Sequence, residues 1–149
     1  MGASPGRMPR VTPYLLYEDV AGALEWLAEA FGFRERLRYA DADGNVTHAE
    51  MTIEDDGLVM MGDPGADYRS PRRSGGFPAQ VYVYVEDLDA HFVRARAGGA
   101  EIVNEPAEQP YGDRRYDAKD VEGHLWSFAE RARDLTPEKW GATRPGGGR

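Results

Sequence analysis

Two segments of the chain share one pattern of apolar and polar residues, 68 positions apart. Each is a run of aromatic and aliphatic residues that ends in Glu-Asp, namely PYLLYEDV over residues 13–20 and VYVYVEDL over residues 81–88. Such a run is typical of a buried strand, and an Asp at its end is typical of a helix N-cap. The pattern therefore predicts a strand followed by a helix at both places.

The residues after each predicted strand recur at helical spacing. Val20, Leu24, Leu27 and Phe31 would share one face of a helix, and Gly32 would end it. The corresponding residues of the second half repeat this spacing before a pair of glycines. Both halves therefore contain a predicted amphipathic helix with defined ends.

Three further strand-like segments follow each helix. They lie near residues 33–40, 46–53 and 58–61, and near residues 101–105, 114–118 and 124–130. The pattern predicts two βαβββ modules that together form one domain. The predicted boundaries are a flexible N-terminus (1–10), a first module (11–62), a linker (63–78), a second module (79–131) and a C-terminal tail (132–149) with a disordered end.

Composition narrows the class of protein. Apolar residues make up 41% of the chain and charged residues 30%, which is ordinary for a folded globule. Cysteine is absent, so disulfides, thiolate zinc sites and a cysteine nucleophile are excluded. No run approaches the about 18 apolar residues of a membrane span, and the N-terminus has no apolar signal sequence. We expect a cytoplasmic protein with no membrane partner.

The charge is uneven along the chain. The two ends hold six of the 18 basic and two of the 26 acidic residues, which leaves 12 basic and 24 acidic residues in 11–132, a net charge of −12. This balance argues against nucleic acid as a partner, because binding to nucleic acid needs a basic face. Arginines nevertheless cluster at 34–38, 69–73 and 114–115, so a small anionic ligand is compatible with the sequence.

Three local motifs carry a family resemblance. They are DVEGH over residues 120–124, THAEM over residues 47–51 and PYGDRRY over residues 110–116. With the duplicated modules, they make residues 11–131 resemble the vicinal oxygen chelate superfamily of glyoxalase I, extradiol dioxygenases, fosfomycin-resistance enzymes and bleomycin-binding proteins. The last two motifs are similar to its PhnB-type branch. The resemblance implies an α+β fold in which two tandem βαβββ modules form a concave mixed sheet, and it implies a homodimer.

The same resemblance gives a test for a metal site. In metal-using relatives, each module supplies one ligand early in its first strand and one in its last strand. Those positions fall on Thr12 and Met61 in the first module, and on Gln80 and Ser127 in the second. Only Gln80 is even a weak ligand for a divalent cation. We therefore expect no metal or other cofactor, which disfavours glyoxalase I and dioxygenase chemistry.

His48 and Glu50 form a separate candidate pair for acid–base catalysis. They lie two residues apart and therefore on one face of a strand. A histidine titrates near neutrality and can act as a general base that a carboxylate orients. The alternative is a hydrogen-bonded pair that holds a module or dimer contact.

Strand alternation, phased on the family's ligand positions, predicts the residues that line a ligand groove. They are Thr12, Tyr14, Leu16, Val59, Met61, Gln80, Tyr82, Tyr84, Leu125 and Ser127. Such an apolar, tyrosine-rich surface suits a flat aromatic ligand, and it also suits a core or a dimer interface. Comparison with fosfomycin-resistance-like relatives adds Arg115 and Asp117. Arg115 is predicted either to clamp a carboxylate or phosphate or to pair with Asp117.

Three functions follow from these patterns. The first is a protein of the bleomycin-resistance kind, which sequesters a small aromatic or anionic molecule, such as an antibiotic or a metabolite, without chemistry. The second is a glyoxalase-like lyase, isomerase or dioxygenase that uses an unconventional metal or metal-free acid–base residues. The third is a structural or regulatory module that acts through dimerisation. The missing metal ligands favour the first.

Overall fold

The computed structural model describes residues 8–76 and 79–145. Most of the predicted flexible N-terminus and the predicted disordered end of the tail lie outside the described residues. No helix within the described ranges has both the length and the apolar character that a membrane crossing requires.

Within the described residues, eight strands and three α-helices form two modules and the segment between them. The first module contains β1 (Tyr14–Leu16), α1 (Val20–Phe31), β2 (Arg34–Ala40), β3 (Val46–Ile53) and β4 (Gly57–Gly62). A short helix, α2 (Pro71–Ser74), lies in the predicted linker. The second module contains β5 (Gln80–Tyr84), α3 (Leu88–Ala97), β6 (Glu101–Glu108), β7 (Asp113–Lys119) and β8 (Leu125–Arg131). A 3-10 helix over Pro137–Trp140 follows.

Both long helices begin at the aspartates that the sequence indicated. The Asp19 carboxylate accepts a hydrogen bond from the Gly22 amide at 3.0 Å, and the Asp87 carboxylate accepts one from the Ala90 amide at 3.1 Å. These bonds satisfy amides in the first turn that have no partner within the helix. Gly32 ends α1 in the left-handed conformation, with φ 77°. The predicted helices and their ends are therefore confirmed.

The two modules have the same sheet topology. The first sheet has the order β1-β4-β3-β2 and the second has the order β5-β8-β7-β6. In each sheet the first strand runs parallel to the last, and the other pairs are antiparallel. The α+β class and the duplication of the βαβββ unit are therefore confirmed.

One core joins the two modules. The helices α1 and α3 pack against each other, and aromatic side chains of both modules meet beneath them. The rings of Phe31 and Phe128 are 4.8 Å apart, and those of Phe33 and Trp126 are 5.2 Å apart. Because the core lies on the helix side of both sheets, the opposite side of each sheet is left uncovered by the core. We call these two surfaces the open faces.

The DVEGH turn before β8 ties the modules together. The buried Asp120 carboxylate accepts hydrogen bonds from the Tyr17 hydroxyl at 2.7 Å and from the Trp126 indole at 3.0 Å. Glu122 accepts bonds from two backbone amides at the start of α1. His124 donates from Nε2 to the carbonyl of Leu16 at 2.8 Å. The turn that carries the family resemblance therefore has a structural role, with residues of both modules bonded to it.

Candidate functional site

Most of the residues predicted for the second module share the open face of the second sheet. The strand register places Gln80 opposite Leu125, and Ser127 opposite both Tyr82 and Asp117. Trp126 and Phe128, which alternate with them along β8, lie in the core. The predicted grouping of these side chains is therefore observed, while their contact with a ligand stays a prediction.

Asp113 connects several side chains of this face through hydrogen bonds. Its buried carboxylate accepts hydrogen bonds from the hydroxyls of Tyr82 and Tyr84, both at 2.7 Å, and from Arg131 Nε at 2.6 Å. Burial raises the pKa of Asp113, but the hydrogen bonds from the two tyrosines and Arg131 outweigh it and lower the pKa below its ordinary value. Both phenols are therefore held as donors to one carboxylate. Their rings are 5.6 Å apart and exposed.

Arg115 is paired within the chain rather than free to clamp an anion. It donates from Nε and Nη2 to the two carboxylate oxygens of Asp117, at 2.9 and 3.2 Å, and from Nη1 to the Tyr111 hydroxyl at 3.0 Å. Burial raises the pKa of Asp117, but the bonds from Arg115 and Ser127 outweigh it and lower the pKa. Of the two alternatives for Arg115, the structure shows the internal ion pair.

The predicted phase of β4 is wrong. Val59 and Met61 lie fully buried in the core on the helix side of the first sheet, where they contact no open groove. Met60 is the residue that pairs with Tyr14 and shares its side of the sheet. The error arises because Leu58 to Met61 are all apolar, so the segment contains no alternation from which a phase could be read.

The side chains at the family's ligand positions do not fit a divalent cation. Thr12 lies just before β1, and Met60 rather than Met61 is on the open face. Gln80 donates its amide to the Ser127 hydroxyl at 2.8 Å, and Ser127 in turn donates to Asp117. Within the described residues, no three His, Asp or Glu side chains are placed to hold an ion.

The first module brings together the predicted pair His48 and Glu50. The Nε2 atom of His48 lies 3.1 Å from Glu50 Oε2, and its Nδ1 atom lies 2.9 Å from the Tyr14 hydroxyl. Arg36 completes the set by donating to Glu50 Oε1 at 2.5 Å. Leu16 lies two residues after Tyr14 and is likewise exposed.

A cleft separates the two modules beside β5. Its volume is about 330 Å³, and it is lined by Pro13, by residues 53, 54 and 56–58 around the turn between β3 and β4, and by residues 81–84 of β5. Because β5 is the edge strand of its sheet, side chains of both its faces border this space. The volume falls within the range of small-molecule sites. We call this space the inter-module cleft.

The sequence prediction missed three residues that shape these faces. Asp113 lies in the same alternating phase as Arg115 and Asp117, so the pattern contained a signal for it. The sequence contained no such signal for Arg36 and Arg131, because only the pairing of strands identifies their partners, Glu50 and Asp113. An exposed arginine on a strand is usually solvated, and sequence alone does not distinguish the exceptions.

The fold places the protein in the class of α+β proteins that contain two paired βαβββ modules. In each module of this protein, one surface of the sheet is an open face. Within that class, the chain belongs to the Glyoxalase/Bleomycin resistance protein/Dioxygenase superfamily, whose family model matches residues 7–128. The sequence therefore points to the correct superfamily.

Three relatives illustrate the similarity. The crystal structure of TioX from Micromonospora sp. ML1 is 38% identical, covers 83% of this chain and 98% of its own, and superposes with a TM-score of 0.67. An uncharacterized protein of Mycobacterium tuberculosis is 30% identical over 88% of this chain and 79% of its own. A glyoxalase-related enzyme from Clostridium phytofermentans, 16% identical with a TM-score of 0.62 over 86% of this chain and 99% of its own, shares the fold.

Proposed function

We propose that the protein binds a small planar aromatic molecule in the inter-module cleft. The observation that carries this proposal is the pair of exposed rings of Tyr82 and Tyr84, 37% and 51% exposed, which border the cleft. Both hydroxyls donate hydrogen bonds to Asp113, so the rings are held in place before a ligand binds. A fixed aromatic surface binds a planar ligand at a low cost in side-chain entropy.

The charges around the cleft favour a neutral or cationic ligand over an anionic one. Glu54 and Asp56 line the cleft. Burial raises the pKa of Glu54, and the nearby carboxylates of Glu86 and Asp55 raise it further. The arginines of the neighbouring face, Arg115 and Arg131, are each paired with an aspartate. Among the described residues that line the cleft, an anion would therefore meet two carboxylates and no basic side chain.

The binding test uses two dyes of opposite charge. We expect the planar cation proflavine to bind wild-type protein more tightly than the anion anilinonaphthalene sulfonate, measured by fluorescence titration. Tyr82→Ala should weaken proflavine binding about tenfold, because it deletes an aromatic contact worth about 1.4 kcal/mol. Tyr82→Phe should keep most of the affinity, because it retains the ring.

The matched control is Tyr39→Ala, which removes an exposed tyrosine on β2 that does not line the cleft. It should leave proflavine binding unchanged. Equal losses from Tyr39→Ala and Tyr82→Ala would contradict the assignment of the cleft, and a preference for the anionic dye would contradict the charge argument.

We also propose that the protein is a homodimer, as relatives with this fold commonly are. Val93 on α3 and Val103 on β6, 64% and 45% exposed, offer a second copy apolar surface on neighbouring elements outside the cleft. Light scattering coupled to size-exclusion chromatography at micromolar concentration should give twice the 16.5 kDa mass of the chain. A monomeric mass would contradict the proposal.

A further inference from the structure

The side chains Tyr14, His48, Glu50 and Arg36 form a continuous hydrogen-bonded series on the open face of the first sheet. We call these four residues the tyrosine relay. A carboxylate only accepts, so the 3.1 Å contact to Glu50 Oε2 places the proton of neutral His48 on Nε2. Nδ1 then carries the lone pair and accepts the Tyr14 hydroxyl at 2.9 Å. The arrangement thus has the order of nucleophile, base and orienting carboxylate that activates hydroxyl nucleophiles in enzymes.

The relay is sheltered at one end and open at the other. The side chains of Glu50 and His48 are 10% and 29% exposed, whereas Tyr14 is 51% exposed. Arg36 balances the charge of Glu50 through an ion pair. The phenol of Tyr14 is therefore the most accessible group of the relay, while His48 and Glu50 are shielded from solvent to a greater extent.

Gly62 makes room for this geometry. A Cβ atom built on Gly62 would lie 2.6 Å from the Tyr14 hydroxyl oxygen and 2.8 Å from its ring, which is closer than real contacts allow. Gly62 pairs with His48 across β3 and β4, so the phenol reaches the imidazole by crossing directly over the glycine. Any side chain at this position would push the hydroxyl away from its base.

We propose that Tyr14 is a reactive phenol that accepts acyl groups from small activated esters. The Tyr14 oxygen forms a bond to the carbonyl carbon of the ester while His48 takes the phenol proton. The bond from that carbon to the leaving oxygen then breaks, and the leaving group departs with the electron pair and takes the proton from His48. Glu50 and Arg36 are positioning residues, because they act only through the imidazole. The site lies on the first sheet and does not depend on ligand binding in the inter-module cleft.

The test measures acetylation of individual tyrosines by p-nitrophenyl acetate, with peptide mass spectrometry as the readout. Tyr39, 62% exposed, is the internal reference, because it lies opposite His48 in the strand register but is not hydrogen-bonded to the imidazole as Tyr14 is. We expect Tyr14 to be acetylated at least about tenfold faster than Tyr39, because general-base assistance contributes about 10²–10⁴-fold when fully effective. His48→Gln should reduce the Tyr14 rate to the Tyr39 rate measured in the wild-type protein.

Two further variants keep the proposal testable if His48→Gln folds poorly. Gly62→Ala retains all four relay residues but displaces the phenol, so it should abolish the advantage of Tyr14. Arg96→Ala, at an exposed position on α3 that belongs to neither the tyrosine relay nor the inter-module cleft, should leave the Tyr14 rate unchanged. Equal rates for Tyr14 and Tyr39 in the wild-type protein, stable acetylation of His48 instead of Tyr14, or a Tyr14 rate that survives Gly62→Ala would each overturn the proposal.

Discussion

Replacement of Asp120 by alanine is expected to lower the free energy of unfolding by about 3–5 kcal/mol, the largest effect of a single substitution that we anticipate. The Asp120 carboxylate is 1% exposed and accepts four hydrogen bonds. Its Oδ2 atom accepts from Tyr17 and Trp126, and its Oδ1 atom accepts from the backbone amides of Glu122 and His124. Alanine would leave these buried donors without an acceptor. The free-energy cost of an unsatisfied buried donor exceeds the net contribution of a hydrogen bond to stability.

The loss should be large because Asp120 joins parts of the chain that are distant in sequence. Tyr17 directly follows β1 in the first module, 103 residues away, and burial together with the Asp120 carboxylate raises its pKa well above the ordinary value. Urea denaturation followed by circular dichroism measures the effect. Tyr17→Phe, which removes a single bond, should cost only about 1 kcal/mol. An Asp120→Ala variant no less stable than Tyr17→Phe would show that the turn does not tie the modules together.

The second large effect is a loss of stability at mildly acidic pH that originates at His91. His91 donates from Nε2 to the carbonyl of Phe31 at 3.0 Å, and its Nδ1 atom accepts the Tyr116 hydroxyl at 2.5 Å. The imidazole therefore joins α3 to the end of α1 in its neutral form. Burial lowers its pKa from 6.5 to about 4, and the nearby Arg94 adds to that lowering.

The direction of the pH effect follows from proton uptake. Between pH 6.5 and about pH 4, the unfolded chain binds a proton at His91 while the folded protein does not, so acidification favours unfolding. From pH 7 to pH 5, the free energy of unfolding should fall by about 2 kcal/mol through this residue. Well above pH 6.5 the imidazole is neutral in both states, and the effect disappears.

The comparison variant is His91→Gln, which removes the titrating group. Its free energy of unfolding at pH 7 should be lower than that of the wild-type protein, because a glutamine fits the two hydrogen bonds less well. Between pH 7 and pH 5, however, its free energy of unfolding should fall by about 2 kcal/mol less than that of the wild-type protein. Chemical denaturation at each pH gives both slopes, and parallel slopes would exclude His91 as the source of acid sensitivity.

The helices were predictable because their signals are local. Asp19 and Asp87 cap the helices that follow them, and the apolar positions recur at a spacing that only a helix brings to one face. The open face of the second sheet was likewise predictable, since polar residues on β7 and β8 alternate with Tyr116, Trp126 and Phe128. In each case neighbouring residues differ enough in polarity to define a phase.

The candidate site on the first sheet was only partly predictable. The two-residue spacing indicated that His48 and Glu50 share a face, and they do so in hydrogen-bond contact. The contact of Tyr14 with this pair depends on strand pairing over 34 residues and on a glycine beneath its ring. No local pattern specifies such a contact, because it is produced by the register of β1, β4 and β3.

The duplication of the βαβββ unit, the ends of its helices and the absence of thiol chemistry were determined by the sequence itself, because each depends on composition or on residues within one or two turns of one another. The tertiary structure alone decided that Val59 and Met61 face the core, that Arg115 is paired with Asp117, and that Asp113 holds two tyrosines. These outcomes depend on which segments pack together. The partners of a buried charge are set by the strands beside it, and those strands are brought together by burial of a core that both modules share.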